Sequence, residues 1–202
     1  MTIDSSHPRH RRQRGAAVVE FALLLPLLVL LSMGVIDVGD AWFRSATATS
    51  ATRAGAITAF DIGNDRSHDL RVLQTLVTEF DNRSIENITQ IILFDATGTT
   101  TVPSACLTAA ARVDQGVTGL CVVYDQAFLN QIRSAAGAGA FIDGDCPNSR
   151  DHRWCTEIRT NAGGWWVGIY VEANQNVLTG VVPMFQDFTI SETVIVKEWP
   201  RD

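Results

Sequence analysis

The hydrophobic pattern of the chain is most continuous near its beginning. From Ala16 to Ile36 the sequence is apolar apart from Glu20 and Ser32. A helix of this length would span about 32 Å, which matches the hydrocarbon core of a bilayer at about 30 Å. An ordinary secretory signal has a shorter apolar region, of roughly 7 to 15 residues. The pattern therefore predicts a transmembrane helix over 16–36.

Helical structure is expected to continue after this span as a stalk over 37–60. Alanine is abundant there, and no proline interrupts the segment. Small residues recur at spacings of three and four, which would place them on one helical face and permit close packing. They are Ala41, Ser45, Ala48, Thr52, Gly55 and Ala59. Within the apolar span, Pro26 removes the backbone donor to the carbonyl of Ala22, which predicts a kink or a local loosening of the helix.

The remaining residues, 61–202, alternate between helical and strand patterns. Apolar residues at helical spacing predict helices at His68–Phe80 and Gln126–Ala136. Runs of β-branched or alternating residues predict strands at Ile88–Phe94, Leu120–Tyr124, Trp165–Ala173 and Phe188–Trp199. The predicted fold class is α+β, with a long amino-terminal transmembrane and stalk helix followed by a small antiparallel sheet that the lower part of the helix covers.

The distribution of charge predicts the orientation of the helix. The chain has a formal net charge of -6, and its first fourteen residues contain Arg9, Arg11, Arg12 and Arg14. Asp37 and Asp40 follow the apolar span, so the positive-inside rule places the basic leader, 1–15, in the cytoplasm and the body outside it. Without the leader the chain would have 12 basic and 21 acidic residues. Such a balance argues against nucleic-acid binding, which needs a basic face.

All four cysteines lie far downstream of the apolar span, where an exported domain would contain disulfides. They are Cys106, Cys121, Cys146 and Cys155. Of the three possible pairings, we expect the sequential one, Cys106 with Cys121 and Cys146 with Cys155, because it closes two short loops. A disulfide around a loop of this size stabilises the fold by about 3 kcal/mol in the chain-entropy model. The alternative is a set of buried free thiols.

Glu20 is the one ionisable residue within 16–36. A carboxylate costs about 2.5 to 3.5 kcal/mol at the middle of a membrane, and less near its edge. In one interpretation, Glu20 reaches back to the headgroups and meets Arg14. In the other, the chain is cut between Gly15 and Ala16, which makes Glu20 the fifth residue of the product. The new amino group at Ala16 would be mostly protonated, and it would suit the Glu20 carboxylate of a neighbouring subunit.

The second interpretation agrees with the type IV prepilin signature, in which a peptidase cuts after glycine and the apolar helix is retained. The segment RRQRGAAVVEFALLLPLLVLLSMGVIDVGDAWF resembles the amino terminus of the TadE-like pseudopilins of tight-adherence pilus systems. The basic leader, G-A-A-V-V-E-F, L-L-P and the stretch from Gly34 to Gly39 carry the resemblance. It implies a pilin-like shape, processing by a prepilin peptidase at Gly15 and Ala16, and assembly with other pilin or pseudopilin subunits.

A search for catalytic chemistry finds no G-x-S-x-G, P-loop or H-E-x-x-H motif, and no G-x-G-x-x-G between a strand and a helix. We therefore predict no catalytic residue, no metal and no cofactor. The best metal candidate combines Cys146, His152 and Cys155 with Asp145 or Asp151. Its spacing matches no standard zinc knuckle, and a disulfide is the preferred interpretation of these cysteines.

Two further features of the body lead to structural expectations. His68, at the start of a predicted helix, is expected to be solvated. Trp165 and Trp166 are adjacent and would face opposite sides of a strand. One of them would then lie in the core, and the other would mark a contact surface.

The sequence thus predicts a non-enzymatic minor pseudopilin or pilus-assembly subunit of a tight-adherence pilus or secretion system. It would lie in the cytoplasmic membrane with its amino terminus inside and its body outside, and it would enter a surface filament if it is a pilus component. Its expected partners are the prepilin peptidase, the membrane and other pilin-like subunits that contact its apolar helix. The alternatives are an uncleaved, signal-anchored extracytoplasmic binding module and a membrane-tethered enzyme that uses the loops of the body.

Overall fold

A computed structural model of the protein describes residues 9–63, 68–82, 88–134, 166–175 and 188–197. These residues belong to two compact units that divide the chain between Trp42 and Phe43. The first unit contains the described residues up to Trp42, and the second contains those from Phe43 onward. The later part of the predicted stalk therefore belongs to the same unit as the sheet.

The first helix, α1, is a single element of 54 residues, Arg9–Ile62, that includes the apolar span and the stalk. It continues through Pro26. Among the described residues it is the one helix long and apolar enough to cross a membrane, and no residue of its most apolar window is buried. A core helix of a soluble protein would bury such a surface. By length and composition, α1 could therefore span a bilayer.

The sheet has five strands in the order β2-β3-β1-β4-β5, and all neighbouring strands are antiparallel. The strands are β1 Ile88–Asp95, β2 Gly116–Val117, β3 Cys121–Asp125, β4 Trp166–Gln175 and β5 Phe188–Lys197. In the centre of the sheet, Ile91 of β1 pairs with Tyr124 on one side and Val171 on the other. The predicted α+β class with a small antiparallel sheet is confirmed.

Helices cover one face of this sheet. They are the later part of α1, α2 at His68–Asn82 and α4 at Gln126–Ser134. Their apolar side chains form one buried cluster with inward-facing strand residues such as Ile91, Leu93 and Ile169. In the described part of the chain, the predicted helices at 68–80 and 126–136 and the four predicted strands are all present, with small shifts at their ends.

The small residues of α1 are the reason that the helices approach closely. Ala48, Thr52, Gly55 and Ala59 are all buried. A Cβ atom added to Gly55 would lie 2.7 Å from Cδ2 of Leu76 in α2, closer than real Cβ contacts. The predicted small-residue face therefore does pack closely. From Ala48 to Ala59, it packs within the core of its own chain.

The opposite face of the sheet has a smaller apolar core, formed around Ile92 and Phe94 of β1. A 3-10 turn at Ser104–Leu107 and the short helix α3 at Ala109–Val113 pack there. A disulfide joins Cys106 of the turn to Cys121 of β3, with 6.3 Å between the Cα atoms. This is the first of the two predicted pairs, whereas Cys146 and Cys155 lie outside the described residues. The turn, α3 and β2 are too short to give a periodic signal in the sequence, and they were not predicted.

The expectation for His68 was wrong. Its side chain is fully buried, although it stands at the first position of α2. The Nδ1 atom lies 2.8 Å from Oδ1 of Asp69, which is also fully buried. The neighbouring carboxylate is a polar partner for Nδ1 of the buried imidazole. His68 is therefore part of the core, where it is paired with the residue that follows it in the sequence.

Candidate functional site

The predicted processing position lies on α1. Gly15, Ala16 and Glu20 are all exposed, and a Cβ atom added to Gly15 would meet no atom within 4 Å. Ala16 and Glu20 are four residues apart in a continuous helix, so their side chains lie on the same face. A new amino terminus at Ala16 would therefore arise one helical turn before the carboxylate.

The second polar side chain of the apolar span is satisfied by its own helix. The Ser32 hydroxyl donates a hydrogen bond of 2.8 Å to the carbonyl oxygen of Leu28. Such a bond removes most of the cost of placing a hydroxyl in an apolar surrounding. Glu20 is different, because a helix interior offers its carboxylate no free backbone donor. Of the two polar residues, Glu20 is the one that needs a partner from elsewhere.

Within the body, a buried polar cluster joins α2 to the sheet. It contains His68, Asp69 and Tyr124, whose side chains are all fully buried. The Tyr124 hydroxyl donates to Oδ2 of Asp69 at 3.4 Å, while the other carboxylate oxygen faces His68. A histidine oriented by a carboxylate is a common catalytic arrangement. Because the three groups are shielded from solvent, we interpret them as core polar groups that fix the position of α2 on β3.

A second polar cluster lies on the opposite face of the sheet. Oε2 of Glu172 accepts hydrogen bonds from Gln90 at 2.9 Å and from the Tyr170 hydroxyl at 3.0 Å. Arg112 of α3 donates to Oε1 of Gln90 at 3.1 Å. Burial, and then the hydrogen bond and charge of Glu172, raise the pKa of Tyr170 to about 12. Tyr170 therefore remains a protonated donor at neutral pH, and the cluster ties α3 to β1 and β4.

The body also has an open apolar groove of about 390 Å³ between α1 and β5. It is lined by Arg53, Ala56, Ile57, Phe60 and Val196.

On the other face of the sheet, Trp166 is partly exposed and the Nζ atom of Lys197 lies 5.7 Å from the centre of its ring. Trp166 thus has a cationic neighbour at the surface, whereas Trp165 lies outside the described residues.

The described ranges contain no group of three or more His, Cys, Asp or Glu side chains that could hold a metal ion. The zinc candidate proposed from the sequence, with Cys146, His152 and Cys155, falls outside these ranges, as do Asp145 and Asp151. The predicted pair between Cys146 and Cys155 stays a prediction for the same reason.

The sequence alone suggested the local features of α1, but it did not predict the two polar clusters, which are assembled from residues far apart in the chain. Gly15, Ala16 and Glu20 are close in sequence, and their spacing alone led to the predicted processing position. Gln90 gave a weak signal, since it is a polar residue directly before the apolar run Ile91–Phe94 of β1. Nothing in the sequence connected it with Arg112 or Glu172.

Comparison with known proteins supports the resemblance of the amino-terminal segment to a known family. A family model described as TadE-like protein matches residues 15–56. The match begins at Gly15 and includes Glu20 and the whole apolar span, which confirms the resemblance to TadE-like proteins. It points to a protein associated with the Tad pilus. No curated protein and no solved structure matches the chain.

Proposed function

We propose that the chain is a minor pseudopilin or pilus-assembly subunit of a tight-adherence pilus or secretion system. A prepilin peptidase would cut it between Gly15 and Ala16, and α1 would remain as its membrane anchor. The observation that carries this proposal is the position of Gly15 at the start of the TadE-like match, five residues before Glu20.

The proposed cut would change the charges near the start of the apolar span. Before cleavage, Glu20 is a carboxylate at the edge of an apolar span, with a cost of insertion. Cleavage creates a cationic amino group at Ala16, one helical turn away. Within one subunit or between two, the pair would neutralise both charges in a medium of low dielectric constant. We expect the pairing between subunits to help select the register in which apolar helices assemble.

The proposed topology places the amino terminus of the uncut chain in the cytoplasm and the body outside. Arginines before the span and Asp37 and Asp40 after it support this orientation. The Cys106–Cys121 disulfide is consistent with an oxidising compartment. We propose a structural role for the body, since its two polar clusters link elements of the fold through the contacts of Asp69 and Glu172.

Glu20→Ala is expected to leave membrane insertion intact and to impair assembly, because it removes the partner of the new amino group. The measurement is the fraction of processed chain that co-purifies with the other pilus subunits after detergent extraction of cell membranes. Glu20→Asp, which keeps the charge, should retain more assembly than Glu20→Gln, which keeps the size.

Ser32→Ala is the matched control for this experiment, because Ser32 is the other polar residue of the span and is already bonded within its own helix. It should assemble like the wild type. If Glu20→Ala and Glu20→Gln also assembled normally, the charge pair would be refuted and the headgroup interpretation of Glu20 would be favoured.

A further inference from the structure

The part of α1 around the end of the apolar span, residues 31–42, has two unlike faces. Each residue turns the helix by about 100°, so Leu31, Val35, Val38 and Trp42 form one narrow stripe at spacings of four, three and four. We call these four residues the apolar stripe. Asp37 and Asp40 lie on the opposite side of the helix. The apolar surface therefore ends near Ile36 on one side and continues to Trp42 on the other.

Burial along this segment is the reverse of that in a water-soluble protein. Val35 is 73% exposed, Val38 52% and Trp42 79%, whereas Asp37 is only 6% exposed. Asp40 is half-buried. In water, a folded chain would be destabilised by leaving these three apolar side chains exposed. The arrangement is favourable if the apolar stripe faces lipid.

The position of Trp42 along the helix fits the membrane interface. It lies six residues after Ile36, a rise of about 9 Å along the helix axis. In a helix tilted by about 40°, this rise is only about 7 Å along the membrane normal. The polar headgroup region extends roughly 5 to 8 Å beyond the hydrocarbon core on each side. Tryptophan is enriched in this region because its ring is apolar and its indole N–H can donate to polar groups.

We propose that the apolar stripe of α1 lies against the outer leaflet of the membrane and that Trp42 is an anchor in its headgroup region. The helix then leaves the bilayer obliquely, so that the side bearing Val35, Val38 and Trp42 stays in lipid while Asp37 and Asp40 face away from it. The argument for lipid as the occupant is continuity, since the stripe extends the exposed apolar surface of the membrane-spanning segment without a break. This inference rests on the proposed membrane anchoring of α1.

The test measures the depth of Trp42 in a bilayer. The full chain is reconstituted into vesicles of phosphatidylcholine and phosphatidylglycerol with bromine atoms placed on the acyl chains either near the headgroup or near the bilayer centre. The chain has five tryptophans, so the Trp42 signal is obtained by subtracting the emission of the Trp42→Phe variant. We expect headgroup-proximal bromine to quench most of this signal, central bromine to quench less, and aqueous iodide to have little effect.

Trp166→Phe is the matched control, because Trp166 is a partly exposed tryptophan of the sheet. Its difference signal should respond to iodide and not to brominated lipid. Three results would overturn the proposal: a Trp42 signal quenched by iodide alone, a Trp42 signal protected from both quenchers as in a protein contact, or a Trp166 signal quenched by lipid as strongly as that of Trp42. Failure of the chain to remain in vesicles after alkaline extraction would instead refute the membrane anchoring itself.

Discussion

Gly15→Val is expected to abolish processing, leaving the chain at its full length in the membrane. The proposed cut follows Gly15 directly, and a branched side chain there would collide with a peptidase site built around glycine. The substitution should not disturb the chain itself, because an added Cβ atom at Gly15 would meet nothing within 4 Å. The measurement is the apparent mass of the membrane-bound chain by immunoblotting in cells that contain the peptidase.

The structure offers a matched control for this prediction. Gly34 lies in the same apolar helix, and an added Cβ atom there also has no neighbour within 4 Å. Gly34→Val should therefore be inserted and processed like the wild type. Normal maturation of Gly15→Val would contradict the proposed cleavage position, while blocked maturation of both variants would show that valine disturbs the helix rather than the cut.

Gly168→Ala is expected to destabilise the body strongly. Gly168 of β4 pairs with Phe94 of β1, and a Cβ atom added to it would overlap the Phe94 ring. Phe94 is fully buried, so its ring has little room to move. Overpacking of this kind costs about 1 to 3 kcal/mol, and sometimes more. Urea unfolding of the full chain in detergent micelles, followed by near-ultraviolet circular dichroism, measures the loss in free energy of unfolding.

A double-mutant cycle identifies the cause of this loss. Phe94→Leu removes the ring that the alanine would strike, so Gly168→Ala should cost less in the Phe94→Leu background than in the wild type. Gly34→Ala, a substitution at a glycine without close neighbours, should leave the unfolding of the body unchanged. An equal cost of Gly168→Ala in both backgrounds would show that contact with Phe94 is not the cause.

The elements with a clear period were predictable from the sequence. The long apolar run, the amphipathic pattern of α2 and the β-branched run of β1 each specified one type of element. β2 and α3 have two and five residues, so each contains less than two periods of its own pattern. Their positions depend on tertiary contacts, including the Cys106–Cys121 disulfide and the bonds of Arg112.

The candidate functional residues also differ in how far the sequence could predict them. The proposed processing residues are close together in sequence, so the spacing between one glycine and one glutamate was enough to predict them. Asp69 and Tyr124 are 55 positions apart, and Gln90 and Glu172 are 82 apart. Only the packing of α2 on β3 and the pairing of β1 with β4 bring these side chains together, so no local pattern could reveal them.

The assignment of His68 to solvent shows the limit of arguing from one residue. Histidine at a helix start is commonly exposed, but the next residue, Asp69, gave it a polar partner inside the core. For the apolar stripe, by contrast, the sequence already contained the spacing, but the spacing alone did not reveal its meaning. Its significance became visible only when the exposure of Trp42 could be compared with the burial of Asp37.

The most direct test of the proposed function is the amino-terminal mass of the mature chain. The protein is purified from membranes of cells with and without a prepilin peptidase, and intact-mass and amino-terminal peptide analysis identify its first residue. We expect a chain beginning at Ala16 when the peptidase is present and a chain retaining the leader and Gly15 when it is absent. A chain that begins at Met1 in both cells would contradict the assignment as a processed pseudopilin.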